Sequence, residues 1–172
     1  GKSSLVAAVL GFADHDGEMR LDGAQVRHAR AAVAWSGQRP GLLSGTVADN
    51  VALGPVDAAA VRAALDDAGA ADLDPATVLG AGGAGLSGGQ AQRVAVARAL
   101  YRARTKGLRL VVLDEPTSAL DAATEAHLWA SLRREADAGR GVLLISHRPS
   151  ARAIATRIVS LAPATARGAV TR

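Results

Sequence analysis

The sequence predicts an α/β fold: a mostly parallel sheet flanked by helices, with an α-helical subdomain inserted into it. Three observations carry this reading. Short apolar runs suited to buried strands alternate with segments of helical periodicity. The connections between them are short. Residues 46–85 break the alternation, showing helical spacing and no strong strand. At 172 residues the chain has room for one domain with a sizeable core.

The elements follow in order. Residues 3–11 suit a helix, with Leu5, Val6, Val9 and Leu10 on one face. Residues 18–21 and 31–35 read as short strands. In the helical insertion, Asp57 can cap a helix that places Val61, Leu65 and Ala68 at helical spacing. The stretch from Gly80 to Gly89 holds six glycines, which makes a loop. Residues 89–104 return to helix, with Val94, Ala97 and Tyr101 on one side. Leu110-Val111-Val112-Leu113 is an uninterrupted apolar run and suits a strand buried on both faces. Residues 121–138 form a helix capped by Asp121 and stopped by Gly139 and Gly141, with Glu125, Arg133, Arg134 and Glu135 on a solvated face. Val142–Ile145 is a second buried strand, Arg148–Ala155 a short helix and Ile158–Leu161 a last strand. A weakly ordered tail, Ala162–Arg172, follows.

Composition excludes several function classes. Cysteine is absent, so disulfide frameworks, thiolate catalysis and cysteine-based zinc sites are ruled out. No stretch approaches the ~18 consecutive apolar residues of a membrane span. Aromatic residues are 2%, which leaves little for base stacking, so no nucleic-acid partner is expected. The net charge of +4 rests on 18 Arg, Lys2 and Lys106 against 16 acids. An Ala/Arg/Gly-rich composition explains that excess as well as attraction to an anion does.

Three patterns carry chemistry. Gly1-Lys2-Ser3-Ser4 precedes an apolar helix, as at the end of a P-loop. There, backbone N–H groups at the helix start hold phosphates, Lys2 reaches the β/γ-phosphates and Ser3 ligates Mg²⁺. The absence of an initiator methionine is expected of a piece that begins inside this motif. Asp114 and Glu115 leave the 110–113 strand at the carboxyl end of the sheet, where ligands of open α/β folds bind. An acid there can hold Mg²⁺, and Glu115 can orient or deprotonate a water. Leu86-Ser87-Gly88-Gly89-Gln90 stands before a helix, so Ser87 and the glycine N–H groups make a second anion-binding helix start.

With these motifs in this order, the chain resembles the nucleotide-binding domain of an ATP-binding cassette (ABC) protein, a P-loop NTPase fold. The resemblance runs from Gly1 to about Leu161. Gly1, Lys2, Ser3 and Ser4 match the end of Walker A. Gln38, within Trp35-Ser36-Gly37-Gln38, matches the Q-loop. Leu86, Ser87, Gly88, Gly89 and Gln90 match the signature. Asp114 matches the Walker B acid, Glu115 the catalytic glutamate, Asp121 the D-loop aspartate and His147 the switch histidine. The resemblance implies residues 1–45 and 105–162 as a RecA-like core, 46–104 as the helical subdomain and 163–172 as a tail. It also implies ATP and Mg²⁺ as ligands, with Ser3, Gln38 and Asp114 toward the metal and Glu115 and His147 catalytic.

The resemblance further implies that two such domains meet head to tail, each signature clamping the γ-phosphate bound by its partner. Gly45-Thr46-Val47-Ala48-Asp49-Asn50 is similar to a stretch in exporter half-transporters, where transmembrane domains are fused ahead of the ATPase. That places the domain at the cytoplasmic face of a bacterial cell membrane. Trp35, residues 86–100 and Ser146–Ala151 are similar to the cysteine/glutathione exporters of the CydD/CydC-like type. Multidrug or lipid exporters, an importer ATPase subunit and a soluble ABC ATPase stay open as alternatives. The chain departs from many exporters at Gly80-Ala81-Gly82-Gly83, where an acidic residue is usual. The first Walker A glycines, the strand before them and an adenine-stacking aromatic are not in this sequence. The 172 residues alone are therefore expected to bind ATP poorly and, with a central strand missing, not to fold stably.

Overall fold

The computed structural model describes residues 1–161. They divide into two compact units, one of Gly1–Arg30 with residues 155–161 and one of Ala31–Ile154.

The first unit opens with helix α1 (Lys2–Val9), which buries Val6 and Ala8. Leu10 just beyond it is buried too, but Leu5, expected on the same face, is 43% exposed. A hairpin follows, β1 (Met19–Leu21) against β2 (Ala24–Val26), antiparallel with Leu21 opposite Ala24. Its turn is Asp22-Gly23, both with positive φ (50° and 81°). This is the two-residue turn whose twist matches paired strands. The expected 18–21 strand therefore forms, and β2 is a partner beyond the sequence expectation. Arg30 ties the unit together: its Nε donates to the Leu10 carbonyl at 3.1 Å, and its guanidinium lies 4.4 Å from the Phe12 ring centroid.

The expected strand at Ile158–Leu161 does not form. Among the described residues no strand pairs with it, and Ile158 and Val159 are exposed. An apolar run becomes a strand only where a neighbouring edge takes up its backbone groups. The Ala162–Arg172 tail lies outside the described residues.

The second unit is built on three parallel strands, β3 (Val33–Ser36), β6 (Leu110–Asp114) and β7 (Gly141–Ile145), in the order β3-β6-β7. In the middle, Val111, Val112 and Leu113 of β6 are fully buried, which is why that run shows no polar alternation. Between β3 and β6 the chain makes β4 (Gly45–Thr46), α2 (Val47–Ala52), α3 (Ala58–Asp67), β5 (Val78–Leu79) and α4 (Gly88–Thr105). The short β4–β5 antiparallel pair replaces the strandless reading of this stretch. Helix α5 (Ala122–Asp137) joins β6 to β7, and α6 (Pro149–Ile154) follows β7.

Helix α4 organises this unit. Ser87 caps it and Lys106 ends it. It packs on α2, α3, β3 and β6, and Ala91, Val94, Val96, Ala97 and Leu100 are buried in one core with Val51, Leu65, Leu113 and Leu128. Alanines along α4 let helices and sheet approach closely, while each buried Leu contributes about 2–3 kcal/mol relative to exposure. Charged side chains lock α3, α4 and α5 together at one end. Asp67 of α3 receives Arg104 of α4 and Arg134 of α5, each at 2.5 Å. Glu135 of α5 receives Arg104 at 2.6 Å and also pairs with Arg140.

Candidate active site

Each expected site residue has a definite place. Lys2, Ser3 and Ser4 form the exposed first turn of α1, in the first unit. Gly1 is the N-cap and supplies no side-chain hydrogen bond. The first N–H groups of an α-helix have no intrahelical partner, so an uncapped start keeps them for an anion. That fits a phosphate ligand.

The remaining site residues belong to the second unit. Asp114 is the last residue of β6, half-buried, and Glu115 follows it. Glu115 holds φ at +52°, a left-handed conformation that costs a side-chain-bearing residue about 1–2 kcal/mol. Two backbone bonds hold it there: its N–H donates to the Ile145 carbonyl at 2.9 Å, and its carbonyl accepts from Ser118 N–H at 3.3 Å. The turned backbone brings its carboxylate to His147, whose Nδ1 lies 2.9 Å from Glu115 Oε1. The Glu115 side chain is 14% exposed and that of His147 74%. An ionised carboxylate only accepts, so Nδ1 carries the hydrogen and donates. The other ring nitrogen is then available to a second group.

Ser87 and Gln90 form a reciprocal cap at the start of α4. Gln90 N–H donates to Ser87 Oγ at 3.2 Å, and Ser87 N–H donates to Gln90 Oε1 at 2.9 Å. The Ser87 hydroxyl hydrogen is not used by this cap, and helix geometry gives the Gly88 and Gly89 N–H groups no intrahelical partner. Gln38, Leu86, Gly88, Ser118 and Ala119 line one open cleft of about 420 Å³. Gly89 fits against the segment after Glu115 because it has no side chain: a Cβ there would stand 2.9 Å from the Ala119 carbonyl oxygen. Asp121 caps α5, its Oδ1 accepting from Thr124 N–H at 2.9 Å. That bond, with the Thr124 hydroxyl, holds its carboxyl below the usual range.

Some residues carry more than the sequence showed. Asn50 is buried and bridges the loop that follows Gln38: it donates to the Leu43 and Thr46 carbonyls and accepts from Leu43 N–H at 2.8 Å. Arg98 of α4 donates to the Asn50 carbonyl at 2.7 Å and to the Gly41 carbonyl at 3.1 Å. The Gly45–Asn50 stretch thus anchors the Gln38 loop to the signature helix. Glu125 and Glu135 read as a solvated face in the sequence, yet they are 7% and 5% exposed. Glu125 accepts from Arg148 at 2.7 Å and from the Ser150 hydroxyl. The Ser150 hydrogen bond, with Thr117, Arg148 and Trp129 adding to it, outweighs burial and holds the Glu125 carboxyl below its ordinary range. Arg133, by contrast, does sit on a solvated face, paired with Asp137.

The ABC transporter family model matches residues 1–118. The chain belongs to the ABC transporter family. Its fold is the P-loop α/β fold of that family's nucleotide-binding domain, and it carries the family's ATPase domain. This ABC chain is 40% identical over 159 residues to the glutathione/L-cysteine transport system ATP-binding/permease protein CydD of Haemophilus influenzae, covering 86% of the chain and 26% of that protein. It is 42% identical over 174 residues to the ATP-dependent lipid A-core flippase of Burkholderia orbicola, covering 94% of the chain and 28% of the flippase. The solved structure of a bacterial Atm1-family ABC exporter with ATP bound superposes with a TM-score of 0.76 at 33% identity, covering 88% of this chain and 28% of that one. The ABC chain therefore spans about a quarter of the length of these relatives.

Proposed function

We propose that this ABC domain binds and hydrolyses ATP to power export across a membrane. The observation that carries the reading is the Glu115–His147 contact at the carboxyl ends of β6 and β7. Glu115 holds and deprotonates the attacking water, and His147 offers its second ring nitrogen to the γ-phosphate. The start of α1, with Lys2, Ser3 and Ser4, binds the phosphates. Phosphoryl transfer asks the protein chiefly for position and for neutralised charge, and these groups supply both.

Magnesium fits the residues present. No group of three or more His, Cys, Asp or Glu among the described residues could cage a metal. Mg²⁺ needs no such cage, because it takes one or two carboxylates together with substrate phosphates. Ser3, Gln38 and Asp114 supply hard oxygen donors of the kind it prefers. When bound, Mg²⁺ would neutralise charge on the phosphates.

The partners are a second copy or a related ABC domain, joined head to tail, and transmembrane domains. No helix among the described residues is long and apolar enough to cross a membrane. The ATP-binding/permease relatives are about four times the length of the matched segment, which supports fusion to membrane domains and a place at the cytoplasmic face. The similarity to CydD supports glutathione or cysteine as cargo, and the similarity to lipid A-core flippases supports a lipid. Uptake of labelled glutathione by inverted vesicles, set against stimulation of the ATPase by lipid A, separates the two.

Glu115→Gln in the complete protein tests the hydrolytic reading. The variant is expected to bind ATP as tightly as the parent and to hydrolyse it at least about 100-fold more slowly. Retention of most of the activity overturns the assignment.

A further inference from the structure

We propose that Glu125 is a positioning residue that sets the loop bearing His147 against Glu115. The inference rests on the hydrolytic reading above and deepens it.

The residues form a closed ring. From Glu115 the chain runs through the D-loop segment to Asp121, which caps α5. One turn on, in the first turn of α5, stands Glu125. Its carboxylate takes Arg148 on Oε2 and the Ser150 hydroxyl on Oε1. Arg148 adjoins His147, and its own N–H is held by Ser146 Oγ at 3.1 Å. His147 then returns to Glu115 at 2.9 Å. Two carboxylates ten positions apart thus hold one five-residue segment, residues 146–150, which runs from the loop after β7 into the first turn of α6. The catalytic pair closes the ring on the exposed side, where the His147 side chain is 74% exposed. Glu125 closes it on the buried side, with a side chain 9% exposed.

Burial at that position calls for a reason. A carboxylate taken out of water gains little net stability even when paired, and an apolar side chain of similar volume serves a core as well. What a charged, forked acceptor adds is direction: two donors, one from the loop and one from the start of α6, are held at fixed places. The exposed His147 ring has few other constraints. Hydrolysis requires that ring within hydrogen-bond reach of its partners, so loss of the grip lowers turnover more than it lowers nucleotide affinity.

The alternative is that Glu125 only stabilises the start of α5 through the helix dipole. A double-mutant design separates the two. Glu125→Gln, His147→Ala and their combination are assayed in the complete protein for ATP hydrolysis, with single-turnover runs to read slow variants. Glu125→Gln alone is expected to lower kcat about tenfold with KM for ATP changed less than about twofold. In the His147→Ala background the same change is expected to cost less than about twofold, because the residue it positions is gone. Ser150→Ala, a milder change at a half-buried helix start, is expected to lower kcat about threefold, with the same disappearance in the His147→Ala background. If Glu125→Gln fails to fold, the Ser150→Ala pair decides. An equal loss in both backgrounds, a rise in KM at constant kcat or no effect overturns the proposal. Glu115→Gln is run beside them. If it stays active, the hydrolytic reading itself fails. If it is inactive while Glu125→Gln is silent or additive, only the positioning role fails.

Discussion

Two adjacent glycines of the signature show how much a single Cβ decides. Gly88 and Gly89 both begin α4, and on an isolated helix either would gain up to about 1 kcal/mol on replacement by alanine. Their surroundings differ. A Cβ on Gly88 meets nothing within 4 Å, whereas one on Gly89 meets the Ala119 carbonyl oxygen at 2.9 Å. Backbone cannot swing aside as a side chain can, so Gly89→Ala must push the signature helix away from the segment after Glu115. Denaturant unfolding is expected to show Gly89→Ala destabilised by about 1–3 kcal/mol and Gly88→Ala unchanged or slightly stabilised. Equal effects at the two positions would show that the close approach does not exist. The sequence alone could not separate them. It showed that both are glycine in an LSGGQ run, but not which one faces a neighbouring chain segment. The same holds for Glu125: helical spacing places it among charged residues, and only the fold shows that Arg148 and Ser150 cover it.

At the scale of elements, helices and strands with strong local signals formed where expected. The β6 run, the α4 cap at Ser87 and the α5 cap at Asp121 each depend on neighbours within a few residues. The Asp22-Gly23 turn of the first unit carries a strong local hairpin signal, but the returning strand Ala24–Val26 is only three residues long and shows no strand pattern of its own. Ile158–Leu161 failed for the opposite reason, because its composition suits a strand and pairing depends on a remote partner. The bolt across α3, α4 and α5 is non-local in the same way, and it carries a pH dependence. Burial works to raise the Asp67 pKa, but Arg104 and Arg134 outweigh it and the net shift is downward from the ordinary 3.8. A folded-state pKa below the unfolded one means the unfolded chain binds the proton more readily. The contribution is therefore complete above pH 3.8 and is lost as pH falls through the lower, folded value. Asp67→Asn is expected to cost about 2 kcal/mol at pH 7, below the 3–5 of a fully buried pair because Arg134 lies largely in water. The gap between parent and variant should close as the solution is acidified below pH 3.8. A gap that stays constant to pH 2 would assign the loss to packing.

At the scale of the whole molecule, the question is which chain completes each ATP site. The start of α1, proposed to bind phosphate, and the start of α4, which matches the signature, belong to different compact units, and the proposed head-to-tail pairing has them serve different nucleotides. Order along the chain made both motifs readable, but it says nothing about whether they meet within one copy or across two. Mixed dimers of the complete protein decide this. Lys2→Ala is designed to remove the proposed phosphate contact, and Ser87→Arg to block the proposed signature contact. If the signature acts across the interface, a dimer with Lys2→Ala in one subunit and Ser87→Arg in the other has both lesions in the same composite site. One intact site remains, and single-turnover hydrolysis should retain about half the parent's amplitude. With both substitutions in one subunit and none in its partner, each site carries one lesion and the amplitude should fall close to zero. A signature that served its own subunit's nucleotide would reverse the two results: the same-subunit double would keep one site, and the split pair would lose both. The two dimers have the same composition, so overall stability and net charge cannot account for a difference between them, and the order of their activities reports the connectivity of the sites.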